Sequence, residues 1–420
     1  MQFSPLLLTR QKLPSYRIDD IPGTVRRELA KSGFAQRVAP GAPVAIGVGS
    51  RGIANIDIIV HSVVAWWKEQ GAKPFLFPAM GSHGAATAHG QTAVLAKYGI
   101  TEAAMGCPIR SSLQVVDLGA TPEGIEVVMD KTAYDSGAVM MCSRVKWHTD
   151  FEGNLESGLF KMMAIGLGKF AGAQRYHTHG YRLGLEAVIR GVGRQVIASG
   201  KILGGLAIME DGNHQTGHLE AVPAAIMERR EEELLVQVKG WMPRIPLKSL
   251  DLLIVNQLGK NISGAGMDPK VINRTVYGDY NPWPYAPRVG RVFLREMHPL
   301  SYGNAVGLGM ADIVNSRVVK QMKKKPTYVN GLTSGAMASI RIPVHFPTDR
   351  ECVEQIWRTV GVMDPLKLQI GWIRNSQDLT LMAFSESLRP ELETNPMVEI
   401  LGRAKELEYD DQGNLVNWLA

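Results

Sequence analysis

The chain reads as an α/β protein, with two α/β domains, mainly parallel sheets and an active-site cleft between the domains. Three observations predict this. At 420 residues the chain is longer than one hydrophobic core usually serves. Through its first third, short apolar β-branched runs alternate with segments of helical periodicity, the rhythm of a βαβ sheet. Near residues 240–249 that rhythm lapses into a proline-bearing stretch, GWMPRIPLKS, and then a fresh strand-like run begins. The expected domains are therefore 1–246 and 247–395, with a C-terminal helix in 396–420 packing back on the first.

The elements follow in order. PVAIGVG (43–49) is a first strand ending in glycine, and IDIIVHSVVAWWKEQG is a helix closed by glycine. Phe75 to Phe77 form a second buried strand leading into the loop GSHG, and ATAHGQTAVLAKYG is the next helix. Ala138 to Val145 is a third core strand, with His148 just beyond it. A helix is expected over Leu183 to Ala198 and a strand over Leu206 to Met209. Ala221 to Lys239 has the strongest amphipathic pattern, its charge cluster read as a solvated face. Leu250 to Asn256 opens the second domain, 279–290 is an irregular loop, and MADIVNSRVVKQM and NPMVEILGRAKELEYD read as helices.

Composition excludes several classes. With 45% hydrophobic and 20% charged residues the chain is an ordinary globular one. No apolar run reaches the roughly 18 residues of a membrane helix, and MQFSPLLLTRQKL lacks a signal-peptide core, so a cytoplasmic protein without a membrane partner is expected. Three cysteines are too few and too scattered for a disulfide framework. Lys+Arg number 46 against 40 Asp+Glu, an excess of 46 − 40 = 6 without a basic tract, so no nucleic-acid partner is expected. An oligomer is compatible with the sequence. The 44 glycines mark many tight turns or close approaches to a ligand.

Polar groups fall where βα loops should leave the sheet: Arg51 in GSRG, His83 in GSHG, His148 in VKWHTD, and His177 with His179 in YHTHG. A lone loop histidine is more often structural than catalytic. Several imidazoles at the C-terminal ends of parallel strands are another matter, because an α/β fold builds its site there and imidazole titrates near neutral pH. In an extended segment His177 and His179 would face one side and could hold zinc, copper or nickel, although no HExxH helix or cysteine cluster accompanies them. Lys161 in SGLFKMMAIGLGK sits among apolar neighbours, where desolvation makes an amine a usable nucleophile or covalent anchor. LGKNISGAGMD offers Lys260 and Asn261 as an anion cradle, and SYGNAVGLGMAD adds Asn304.

The string HTDFEGNLESGLFKMMAIGLGK, with GSRG and GSHG upstream and YHTHG downstream, resembles the nickel-dependent lactate racemase family, and the motif order agrees over nearly the whole chain. That resemblance implies a nickel-pincer nucleotide, Ni(II) pyridinium-3-thioamide-5-thiocarboxylic acid mononucleotide, tethered to a lysine. Its sulfurs and a ring carbon hold nickel, and a histidine completes the site. Carried onto this chain, Lys161 resembles the tether and His177 the nickel ligand, with His179 as fallback. His83 and His148 resemble the acid/base pair. Gly49 and Ser50 would lie near the cofactor phosphate, and Arg51 near the substrate carboxylate. The implied reaction is racemisation or epimerisation at the α-carbon of a 2-hydroxy acid by proton-coupled hydride transfer.

The chain departs from the family pattern in two places. ESGLFK replaces a turn of two glycines and an arginine before the lysine, and the second-domain lysine segment is not matched cleanly. Either the helix after Asp268 (Asn273, Arg274) or the GNAVGLG loop (Asn304) would take that place, with Lys260 replacing the missing cation, so the expected substrate is a larger 2-hydroxy acid than lactate. Two other functions are compatible with the residues: a non-catalytic small-anion binding protein on the same scaffold, or a metal dehydratase or hydrolase using His177 and His179.

Overall fold

The apolar runs of the sequence become the strands of two large sheets, each belonging to its own unit. The structure, a computed structural model, describes residues 1–49 and 52–419. One unit is continuous, 14–242; the other joins 1–13 to 243–420.

The chain opens with β1 (Leu6–Gln11) and α1 (Ile21–Lys31). The continuous unit goes on through β2 (Pro43–Val48), α2 (Ile56–Glu69), β3 (Lys73–Pro78), α3 (Ala88–Ala96) and α4 (Glu102–Met105). A hairpin of β4 (Val115–Ala120) and β5 (Glu126–Asp130) leads to α5 (Lys131–Ser136) and β6 (Val139–Arg144). Then come α6 (Leu159–Lys161), a π-turn over Met162–Gly166, α7 (Lys169–Leu183) and α8 (Leu185–Ala198). β7 (Ile202–Glu210), β8 (Thr216–Pro223) and α9 (Met227–Trp241) complete it.

The main sheet of this unit has the order β3-β2-β6-β7-β8 among the described residues, with only the β7/β8 pair antiparallel. The chain steps outward from β2 to β3, then returns to β6 on the opposite flank of β2. Loops after β2 and β6 therefore diverge, which opens a crevice at the carboxyl ends of these strands. Side chains alternate across the sheet. Val44, Ile46, Met140 and Leu206 face one layer with α1 and α2, where Val60, Val63 and Trp67 are buried. Ala45, Phe77, Met141 and Met209 face the other, packed with Leu159, Phe160, Val188 and Leu234. Truncating a residue such as Phe160 to alanine would cost about 3–5 kcal/mol.

The other unit runs through β9 (Ser249–Leu258), α10 (Pro269–Ile272), β10 (Arg288–Met297), β11 (Ile313–Asn315), α11 (Ser316–Gln321) and α12 (Lys324–Ser334). β12 (Val344–Phe346), α13 (Asp349–Ile356), β13 (Ile370–Ile373), β14 (Leu381–Ser385), α14 (Arg389–Glu393) and β15 (Val398–Ile400) follow. Its sheet order is β12-β11-β10-β9-β13-β14-β1-β15, parallel from β12 to β13 and antiparallel beyond. Both sheets are thus mixed but mostly parallel, an α/β architecture.

Several expectations are corrected. Among the described residues, 396–419 form no helix, and they belong to the unit of 243–420, not to the first domain. Val398–Ile400 pairs with β1 instead, and Gly402, at φ 81°, turns the chain away. The helix expected from Ala221 begins only at Met227, because the segment before it pairs with β7 and ends at Pro223. MADIVNSRVVKQM splits: Ile313 pairs beside Phe293 on β10, and Asn315 then caps a short helix through Arg317 N at 3.0 Å. No helix among the described residues is long and apolar enough to cross a membrane.

Candidate active site

The loops leaving the carboxyl ends of β2, β3 and β6 carry candidate residues. Gly49 ends the first, while Ser50 and Arg51 lie outside the described residues. Where the chain returns toward α2, Ala54 N–H donates to Glu210 Oε1 at 2.6 Å and Asn55 Nδ2 donates to Thr216 Oγ1 at 3.0 Å. Glu210 also pairs with Arg144 at the end of β6, so this loop is fastened to two neighbouring strands.

His148, after β6, is only 8% exposed. Its backbone N–H donates to the Glu156 carboxylate, which in turn pairs with Lys239 at 2.5 Å. The ring lies against Phe151 at 4.5 Å between centroids, and Asp150 N–H donates to its Nδ1 at 3.0 Å. With Nδ1 accepting, the neutral ring carries its proton on Nε2 and presents a donor there.

Lys161 ends α6, whose first amides are held from below. Leu159 N–H and Phe160 N–H both donate to Glu231 Oε2, at 2.6 and 3.1 Å. A carboxylate there satisfies orphan donors and complements the positive end of the turn. Gly158 leaves room for it: a Cβ there would stand 2.5 Å from the Glu231 carboxyl carbon. Burial raises the Glu231 carboxyl to about 7, against the opposing pull of the two amides. Glu231 lies in the cluster expected to be a solvated face. The arginines and other glutamates there do form an exposed or half-buried network, but this residue turns inward.

After Lys161 the chain enters the π-turn, a distortion often associated with functional sites. Met162 of this turn approaches the first loop: a Cβ at Gly49 would be 3.3 Å from Met162 Cε. Two helical turns into α7 stands half-buried His177. Its pKa is lowered, first by burial and then by the Lys161 charge, while the Asp150 charge opposes the shift. The imidazole is thus held neutral, with a lone pair available to a metal. Asp150 also faces Tyr181, one turn further on, whose phenol is raised by burial and then by that carboxylate. Lys161, His177, Asp150 and His148 therefore form one connected group. The His83 loop joins it through Gly81, where a Cβ would stand 2.9 Å from Ala173 Cβ on α7 and 3.3 Å from Ile165 Cγ2.

His177 and His179 sit on a helix, not an extended segment, and two residues of helix rotate the side chain by about 200°. They do not face one side, and among the described residues no group of three or more His, Cys, Asp or Glu could hold a metal ion. Lys260, Asn261 and Asn304 lie in the other unit. There Lys260 Nζ donates to Gly264 O and to Asn330 Oδ1 (2.7 Å), and Asn304 Oδ1 accepts from Val306 N–H at 3.2 Å. Both loops are largely occupied in holding themselves together. Cavities of about 520 and 690 Å³ open around Tyr280 in that same unit and do not include the lysine–histidine group.

Asp150, Tyr181 and Glu231 were missed as site residues in the sequence. Asp150 was legible as the acid two residues after His148. Tyr181 and Glu231 emerge only once α7 and α9 are oriented.

Fold and site together define an α/β protein of mostly parallel sheets, in which the His148 loop is followed by a short helix ending at Lys161 and a longer one carrying His177. A structural-genomics structure of a Thermotoga maritima protein shares the fold, with a TM-score of 0.52 and 11% identity over 87% of this chain and 97% of that one. The structure of the lactate racemase apoprotein from Thermoanaerobacterium thermosaccharolyticum aligns with a TM-score of 0.45 and 14% identity, over 82% of this chain and 88% of that one. No family model and no curated protein matches the chain.

Proposed function

We propose that this protein is an isomerase, a racemase or epimerase of a 2-hydroxy acid larger than lactate, that works with a lysine-tethered nickel-pincer nucleotide. The observation that carries the reading is the placement of Lys161 at the end of α6 and of half-buried His177 on α7, sixteen residues on (177 − 161), near enough that burial and then the Lys161 charge lower the His177 pKa. The donor set fits the group. A bare ion would require several protein ligands in one place, whereas a metal that arrives inside its own chelate requires one imidazole and an anchor. Lys161 would be that anchor and His177 that imidazole, with Gly49 and Ser50 beside the nucleotide phosphate. When bound, the group supplies an acceptor for the α-hydrogen of the substrate.

The protein's own residues orient substrate and move protons. Arg51 takes the substrate carboxylate. His83 and His148 are the paired acid and base: one removes the hydroxyl proton and the opposite one reprotonates the alkoxide. His148 meets the substrate oxygen with Nε2–H, and to act as a base it must first release the Asp150 amide. Lys260, Asn261 and Asn304 are proposed separately as substrate contacts, tested by a raised KM in Lys260→Ala.

The decisive experiment is intact-mass analysis of protein produced with the cofactor-synthesis machinery, together with a screen of enantiopure 2-hydroxy acids for loss of optical purity. An adduct present in the native chain and absent from Lys161→Ala supports the reading, as does loss of turnover in His83→Ala by about 100-fold or more. Active protein with an unmodified Lys161 overturns it, and binding without racemisation indicates an anion-binding protein.

A further inference from the structure

Beneath the site lies a buried polar network that the mechanism above does not use. Lys169 is fully buried, and its ammonium donates to Pro78 O at 2.8 Å and to Gln91 Oε1 at 2.8 Å, with the Asp130 carboxylate at 3.5 Å. Gln91, also fully buried, donates through Nε2 to Met80 O at 3.2 Å and Gly81 O at 3.0 Å. Asp130 accepts from Ala133 N–H at 3.0 Å, and its own amide donates to Leu167 O at 2.7 Å. The three side chains come from α3, the end of β5 and the start of α7. What they hold is the stretch 78–81, just before His83, whose carbonyls turn inward as the chain leaves β3.

The backbone at Lys169 supports a specific requirement. This residue is the joint between the π-turn and α7, and it adopts φ 54°, a left-handed conformation in which glycine is the cheaper choice. Glycines flank it at 168 and 172, yet the joint itself carries a lysine with no exposed surface. Strain of this kind persists where the surroundings over-determine the residue. Here the surroundings are two hydrogen-bond acceptors, Pro78 O and Gln91 Oε1, and the Asp130 carboxylate as counter-charge at 3.5 Å.

We infer that Lys169, Gln91 and Asp130 form a positioning network that registers the His83 loop against α7, and so sets His83 relative to His177. Its functional meaning rests on the reading of those two histidines given above. Lys169 and Gln91 are positioning residues and touch no reactant. Lys169 donates to the last carbonyl of β3 and Gln91 to two carbonyls beyond it, and together they join the loop to the helix through two side chains. The pairing of a buried charge with loop carbonyls, in place of an apolar contact, fixes direction as well as distance.

Gln91→Glu separates positioning from folding. It keeps an acceptor for Lys169 but replaces the donor to Met80 and Gly81 with a second acceptor, which repels those carbonyls. The readout is the rate at which diethyl pyrocarbonate acylates His83 in the unloaded full-length chain, followed by peptide mass spectrometry, with exposed His61 as internal control. The rate at His83 should rise by about fivefold or more, as expected when a loop loses about one net hydrogen bond, while His61 is unchanged. The double variant Lys169→Met with Asp130→Asn removes both buried charges together and should give the same rise at His83 in folded protein. If either folded variant leaves His83 within twofold of the native rate, the network is only structural and the inference fails. This result does not depend on any substrate. Loss of racemisation with unaltered His83 reactivity would thus overturn the network alone, and a His83 rise in a protein that racemises nothing would overturn only the proposed reaction.

Discussion

Asp349 and Glu231 are both buried carboxylates, one in each unit, and their surroundings treat them differently. Asp349 uses both oxygens fully: Arg295 Nε at 2.8 Å and Leu415 N at 3.0 Å on Oδ2, Asn315 Nδ2 at 2.8 Å and Arg317 at 2.7 Å on Oδ1. It is a saturated knot between two guanidinium groups, and it ties the C-terminal tail to the sheet. Glu231 accepts two amides on one oxygen, and its Oε1, buried, has no hydrogen-bond partner. Asp130 Oδ2 is likewise buried without a hydrogen bond, with only the Lys169 ammonium nearby. These two incompletely satisfied carboxylates lie under the candidate site, one beneath Lys161 and one beneath the His83 loop; a third buried orphan oxygen, Glu386 Oε2, belongs to the other unit. Native proteins leave few such groups, and those they keep call for a reason. Satisfaction of every lone pair marks a structural lock; an orphan oxygen marks a place where geometry at a neighbour matters more than stability.

The largest test of this contrast is Asp349→Ala. It leaves Arg295 buried without its counter-charge and should cost the unit of 1–13 and 243–420 about 3–5 kcal/mol in denaturant unfolding. A loss under about 1 kcal/mol would show that the knot is no lock. Next comes Glu231→Gln. The folded carboxyl titrates at about 7, above its ordinary 4.5, so between those values the folded state binds the extra proton. Stability therefore falls as pH rises through that window, and the penalty is complete above about 7. The glutamine cannot ionise, so relative to the native chain the variant should gain on the order of 3 kcal/mol from pH 4.5 to 8, read from thermal unfolding of both. A pH-independent difference would mean that the orphan oxygen carries no cost. The smallest effect is expected at Thr348, whose Oγ1 accepts from Glu351 N–H at 3.1 Å while Glu351 returns a bond to Thr348 N–H at 3.2 Å. This cap starts the helix that carries Asp349, and Thr348→Ala should cost about 1 kcal/mol. A loss as large as that of Asp349→Ala would show that the helix start, not the charge, makes the knot.

Much of the continuous unit was legible from hydrophobic pattern alone. Its parallel strands are short, apolar and flanked by glycine, so the sequence itself places the loops after β2, β3 and β6 at strand ends. The interval between Lys161 and His177 was also visible. What the pattern hid has two physical sources. Period alone cannot separate a short apolar strand from part of a helix, which is why Val398–Ile400 and Ile313–Asn315 were read as helical. Charged letters are read as solvent-facing by default, so Glu231 in a glutamate run and Lys169 in a glycine-rich stretch gave no sign of their burial. The histidine pair failed for a related reason: YHTHG between glycines suggests an extended loop, whereas the chain continues α7 through it.

The first strand of the chain completes the last sheet. β1 inserts between β14 and β15, so Leu6 lies opposite Ser385 and Thr9 opposite Ile400. During synthesis, residues 14–242 can reach their native contacts while the ribosome is still at work, but β1 must wait for nearly the whole polypeptide. Closing so long a loop is slow relative to local pairing, and the strand remains a free edge in the meantime. Residues 6–11 thus precede the continuous unit in the chain yet pair after it, and their removal would be felt far along the sequence, where it would strip β14 and β15 of their shared neighbour.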